Sequence, residues 1–131
     1  MVALKIKLGN CFDILAIEDG DKCEVLDIVN DMFITARPSL VKLVKVLDRT
    51  ADVGLMRNKE QFRALDAEIS EFRLPGEVRI LCFMDGQGIV VLTNGFIGQH
   101  ADVGINRARE LRSRYFDAKR NGYLTYRNEF L

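Results

Sequence analysis

Three apolar segments, residues 68–74, 78–85 and 89–97, follow one another with only Pro75-Gly76-Glu77 and Gly86-Gln87-Gly88 between them. A parallel crossover needs a dozen or more residues, so connections of three leave only antiparallel hairpins, and the segments form a meander. In the middle segment Val78, Ile80, Cys82 and Met84 share one face, and Arg79, Leu81 and Phe83 share the other. Both faces are mostly apolar, which places this strand at the centre of a sheet covered on both sides. Arg79, near the strand's end, is the exception.

The segments around the meander supply the covering layers. Leu4, Ile6 and Leu8 alternate with Lys5 and Lys7, Gly9-Asn10 offers a tight turn, and an apolar run resumes from Cys11 to Ile17, the pattern of an N-terminal β-hairpin. Val25, Ile28, Val29 and Met32 follow helical spacing, and that helix should stop before Arg37-Pro38. Proline is tolerated in a first helical turn, so Pro38 can open a second helix with a Leu40, Leu43, Val44, Leu47 stripe and an end at Gly54. Two helices so closely joined make an antiparallel hairpin that lays its apolar seam on the sheet. Residues 57–63 are polar and carry no strand signal. From Asp102 a final helix points Ile105, Ala108, Leu111 and Tyr115 inward and Arg107, Arg109, Arg112, Arg114, Lys119 and Arg120 mostly outward. The tail 122–131 is apolar enough to pack back on the body. The expected fold is α+β: a helical hairpin packed on an antiparallel β-meander, with a C-terminal helix and an N-terminal β-hairpin. One domain over residues 1–131 accounts for the length.

Composition narrows function mainly by exclusion. The 131 residues are 48% hydrophobic and 29% charged, the longest apolar runs are strand-sized, and the first residues alternate charge with apolar side chains where a secretory signal needs an unbroken apolar stretch. A cytoplasmic protein with no membrane partner is expected. Cys11, Cys23 and Cys82 form no CxxC pair and His100 is the sole histidine, so no metal site and no cofactor are expected. The glycine-rich stretches 86–88 and 95–98 lead into neither a P-loop nor a dinucleotide fingerprint, and read as a hairpin turn and a strand end. With 19 basic and 19 acidic residues the net charge is zero, which argues against holding nucleic acid by bulk electrostatics. The charge is unevenly spread: residues 1–36 carry three basic and seven acidic side chains, and residues 98–131 carry seven and four. The basic end either faces an anionic partner or is a solvated face.

The chemistry available is that of arginine. Arg73 and Arg79 face each other across the Pro75-Gly76 turn, Arg57, Lys59 and Arg63 precede them, and the last helix adds its arginines. The guanidinium fork bonds two phosphate oxygens at once and can stabilise developing charge on phosphorus. The same two arginines can equally pair with Glu68, Glu71 or Glu77 across the hairpin.

The runs Leu65 to Arg73, Val78 to Gly86 and Ile89 to Phe96 resemble the phage-associated, HigB-like branch of the RelE/ParE toxin superfamily: a helical hairpin, an "ELR" strand, a "YR" strand, an Asp-Gly turn, an apolar strand ending in "GF" and a final helix, in that order over residues 22–120. The resemblance implies a RelE-like fold and a toxin of a type II toxin-antitoxin system, a metal-independent endoribonuclease that cleaves mRNA on the ribosome and is neutralised by a cognate antitoxin. By motif position it makes Arg73 the "ELR" and Arg79 the "YR" arginine. In a nuclease of this kind His100 would stand in as a proton donor beside those two arginines, with Arg57, Lys59, Arg107, Arg112 and Tyr115 as RNA contacts. Two positions depart from the pattern. Val78 replaces the tyrosine of "YR", and Ile97-Gly98-Gln99-His100 replaces the lysine pair that follows "GF". A catalytically silent RelE-fold module of a phage or mobile element, binding protein through its helical hairpin or basic helix, is the alternative expectation.

Overall fold

The computed structural model describes residues 1–98 and 101–131, with the backbone alone at residue 101. The elements are β1 (Val2–Leu8), β2 (Asp13–Glu18), α1 (Glu24–Thr35), α2 (Arg37–Val53), β3 (Phe62–Ala64), β4 (Ser70–Leu74), β5 (Val78–Met84), β6 (Ile89–Ile97), α3 (Ala101–Arg120) and β7 (Thr125–Asn128). The fold is α+β, with seven strands in one sheet ordered β3-β4-β5-β6-β2-β1-β7.

The expected meander is present and gains a strand, since β3 pairs antiparallel with β4 through Phe62↔Phe72 and Arg63↔Glu71. Residues 57–63 hid this strand because β3 is only three residues long and largely exposed at the sheet's edge. The N-terminal hairpin does not stand apart. Its second strand joins β6 in parallel, from Asp13↔Ile89 to Ala16↔Leu92, so the sheet is mixed rather than purely antiparallel. The cause lies in β2 itself: Ile14, Leu15, Ala16 and Ile17 are all buried, and a strand apolar on both faces belongs in a sheet interior. The C-terminal tail packs back as expected, in the form of β7, which pairs in parallel with β1.

A helical layer covers each face. Val25, Met32, Leu43 and Leu47 of α1 and α2 close over Leu4, Ile14, Phe72, Ile80 and Leu92. On the other face Ala108, Leu111 and Tyr115 of α3 close over Leu15, Ile17, Leu81, Phe83 and Val91. The buried stripe of α2 is rotated from the expected one: Ser39, Leu43, Val46, Leu47, Thr50 and Ala51 face inward, while Leu40 and Val44 are only partly covered. Two of these inward residues are polar and would not be counted in an apolar stripe. Both are accommodated because their hydroxyls donate hydrogen bonds, Ser39 to the Pro75 carbonyl and Thr50 to that of Val46, each at 2.8 Å.

One irregularity lies in β6. Between the pairs Cys82↔Leu92 and Ile80↔Gly95, β6 carries one residue more than β5, a β-bulge at Thr93-Asn94. Both side chains are buried and both are satisfied. The Thr93 hydroxyl lies 2.7 Å from Asn94 Oδ1 and 3.2 Å from the Leu81 carbonyl, and Asn94 Nδ2 donates to the Gly104 carbonyl of α3 at 3.1 Å. The bulge thus anchors the start of α3. Gly104 permits the close approach, since a Cβ there would lie 2.7 Å from the Phe96 ring.

Candidate functional site: an arginine groove at the β4–β5 turn

Antiparallel pairing sets Arg73 directly opposite Arg79, and Arg63 directly opposite Glu71. Residues 63, 71, 73 and 79 therefore form a strip on one face at the end of the sheet. Glu71 is nearly fully buried, and its Oε1 lies 2.8 Å from Arg63 Nε and 3.7 Å from Arg73 Nε. The shorter contact is a hydrogen bond and the longer is electrostatic attraction only. Arg73 Nε is accordingly a buried donor with no hydrogen-bond partner among the described residues. A buried unsatisfied donor is costly in a folded protein, more so on a charged group. Arg79 turns back over the hairpin and donates through Nη1 to the carbonyls of Leu74 (3.2 Å) and Val78 (2.9 Å). No carboxylate lies within ion-pair distance of it among the described residues. Among the described residues Glu68 faces Arg112, and Glu71 is the one carboxylate that approaches Arg73, so pairing with Glu68 or Glu77 is not what holds either arginine there.

The two arginines open into a groove of about 480 Å³, lined also by Lys42 of α2 and by Asn58, Glu60 and Gln61 of the loop before β3. The loop is tied to β4 by a hydrogen bond from the Arg73 amide to the Gln61 carbonyl (2.8 Å), and α2 is tied to the turn by Ser39. The turn holds Gly76 at φ 76° and Glu77 at φ 60°. The left-handed region is unfavourable for a glutamate, and such strain persists only where the surroundings impose it. The groove lining thus sets three cations against Glu60, with Glu71 behind Arg73, and its charge and unpaired guanidinium donor suit an oxyanion.

The remaining residues singled out in the sequence fall elsewhere. Arg57 and Lys59, on either side of Asn58 in the sequence, are exposed and are not part of the groove lining. His100 lies outside the described residues. Arg107 is engaged by Glu24 (2.7 Å) and Glu110 (3.1 Å), and Arg112 lies 3.5 Å from Glu68 and over the ring of Phe116. The other cations of α3 are paired as well: Arg109 with Asp66, Arg114 with Asp19, Lys119 with Asp85 and Arg120 with Asp117. The outward face that looked basic in sequence is a series of ion pairs, some within α3 and others tying it to α1 and to distant loops. Tyr115 corrects an expectation: it is fully buried against Phe83 and Phe116, and its hydroxyl donates to Asp85 at 2.7 Å, so it offers nothing to a ligand. The surface beside Gly95–Ile97 is lined by Glu24, Asp27 and Asp31 with Lys22, a net negative lining that disfavours phosphate.

Lys42, Asn58, Glu60 and Gln61 were not singled out in the sequence. They come from two segments that approach Arg73 only through the packing of α2 and the pairing of β3, so no local motif marks them. Burial pushes the Cys82 thiol far above its usual range and the Cys23 thiol upward, which leaves both as inert core residues. Among the described residues no group of three or more His, Cys, Asp or Glu side chains is placed to hold a metal ion, and no helix is long and apolar enough to cross a membrane. No model of a known protein family matches the chain, and no curated protein matches it.

Proposed function

We propose that this chain is a toxin of the RelE/HigB kind, a metal-independent endoribonuclease that acts on mRNA at the ribosome in the cytoplasm and is held in check by a cognate antitoxin. The observation that carries this reading is the buried, unpartnered Nε of Arg73 directly across the hairpin from Arg79. A phosphate oxygen supplies the acceptor that the protein withholds. With one non-bridging oxygen on Arg73 and the other on Arg79, the scissile phosphodiester lies along the groove, and Lys42, Arg57 and Lys59 receive its neighbours. The 2′-hydroxyl of the preceding ribose then gives up its proton and attacks phosphorus, closing a 2′,3′-cyclic phosphate as the bond to the 5′-oxygen of the next nucleotide breaks and that oxygen takes a proton from water, while the arginines stabilise the added charge. Glu60, the carboxylate lining the groove, is the proton acceptor in this scheme. The reading moves RNA away from α3, whose Arg107 and Arg112 are occupied by carboxylates.

A second reading, a catalytically silent protein-binding module on a RelE-like fold, is favoured by a different surface. Phe33, Leu40, Val41 and Val44 line an apolar groove of about 400 Å³ on the helical hairpin, with Arg37 and Lys45 at its rim.

The test is induction of the chain in a bacterium with mapping of mRNA ends on translating ribosomes. The nuclease reading expects arrested growth and new ends within translated codons. It also expects Arg73→Ala or Arg79→Ala to lower cleavage about 100-fold or more, the loss typical of removing one donor that stabilises a developing oxyanion. Normal growth with soluble protein and no new ends would leave the binding-module reading in its place.

A further inference from the structure

The two edges of the sheet differ. The β3 edge is three residues long and carries the exposed Arg63, which discourages pairing. The β7 edge also carries an exposed arginine, Arg127, but its edge runs on beyond the four residues of the strand, through Glu129 and Leu131, whose amides still bond to β1. The amides of Thr125, Glu129 and Leu131 donate to the carbonyls of Met1, Lys5 and Ile6, so the odd-numbered residues of the last segment face β1. Backbone groups alternate along a strand, and those of Tyr126, Asn128 and Phe130 therefore point out of the sheet along an open edge. Tyr126 and Phe130 are 53% and 56% exposed.

We propose that this edge pairs antiparallel with the same edge of a second copy of the chain, across a twofold axis at Asn128. Such a contact closes on itself, whereas parallel pairing of two edges would not. The register follows from the sequence Thr125-Tyr126-Arg127-Asn128-Glu129-Phe130-Leu131. Centred on Asn128, Tyr126 lies opposite the partner's Phe130, Arg127 opposite the partner's Glu129, and Asn128 opposite itself. Each outward residue meets another outward residue, so all the free edge amides and carbonyls are satisfied. Shifting the centre by one residue in either direction sets Arg127 against Arg127 or Glu129 against Glu129, and like charges directly opposite are destabilising. Aromatic pairs form on one face and opposite-charge pairs on the other; backbone alternation admits every register that sets even-numbered against even-numbered residues, and the charges select this one among them. Arg127 also contacts Glu18 at 2.7 Å, which holds β7 in place on its own body. The dimer joins two seven-stranded sheets edge to edge and leaves both arginine grooves, near the opposite edge, uncovered.

Sedimentation of the full chain over a rising concentration series tests this. The wild type passes from monomer to dimer. Asn128→Pro removes an outward amide that β1 does not use, and abolishes the dimer while circular dichroism stays unchanged. Glu129→Arg weakens self-association roughly tenfold by setting arginine against arginine twice. Mixing Glu129→Arg with Arg127→Glu restores a heterodimer that neither forms alone, which keeps the test decisive even where the proline variant fails to fold. A monomer at every concentration, or a dimer indifferent to both Asn128→Pro and Glu129→Arg, overturns the proposal.

Discussion

The Tyr115 hydroxyl and the Lys119 ammonium converge on one oxygen of Asp85, each at 2.7 Å. Burial of the Asp85 carboxyl opposes its ionisation, but the bonds from Lys119 and Tyr115 outweigh that cost and hold it below the usual aspartate range. A carboxylate depressed in the folded state contributes stability that is full above its unfolded value, about 4, and is lost as pH falls through the lower folded value. Melting temperature should therefore drop as the medium is acidified below about pH 4. In Asp85→Asn, which still accepts the Tyr115 bond, the acid drop should be shallower. Equal slopes in wild type and variant would remove Asp85 from the account. At this scale the opposition of Arg73 and Arg79 was legible, because a three-residue turn fixes which residues pair. Whether carboxylates neutralised them was not, since that depends on Glu71 being shared with Arg63 of a strand the sequence does not announce.

Helix α3 shows what periodicity can and cannot reveal. Of its inward residues readable from spacing, Ala108, Leu111 and Tyr115 are buried and Ile105 is partly buried. Its outward arginines were readable as exposed, but their partners Asp19, Glu24, Asp66 and Glu68 lie some 40 to 95 residues away and are invisible to any local pattern. Exposed ion pairs add little stability each. Their larger effect is to cancel charge that would otherwise draw phosphate to this face. The β6 bulge is the other feature beyond local reading, because a bulge leaves no mark on an apolar alternation. Thr93→Val preserves shape but removes the hydroxyl that serves Asn94 and Leu81 inside the core. Denaturant titration should show a loss of about 1–3 kcal/mol, the cost of leaving buried polar groups unsatisfied. An unchanged midpoint would mean that the bulge does not depend on this hydroxyl.

Across the whole molecule the α+β class, the meander and all three helices were legible, whereas the joining of the hairpin to β6 was not, because parallel pairing between residues 13–16 and 89–92 leaves no turn to recognise. The central strands β5 and β6 carry buried side chains along most of their length, while β7 is exposed throughout. In dilute protein, amide hydrogen exchange followed by NMR should run slowest in β5 and β6 and fastest among the strands in β3 and β7. Comparable protection in β7 would show that the edge opens only with global unfolding. The parallel pairing of β1 with β7 also sets an order of assembly. Among the strands of this sheet β1 is made before the others, yet its second neighbour β7 is made after them, and its hairpin partner β2 must wait for β6. This hairpin therefore keeps unfinished edges until β6 and then β7 are made. Closing it requires contacts between distant parts of the chain, which form late and slowly. The N-terminal hairpin is thus the segment of the nascent chain most in need of shielding from aggregation.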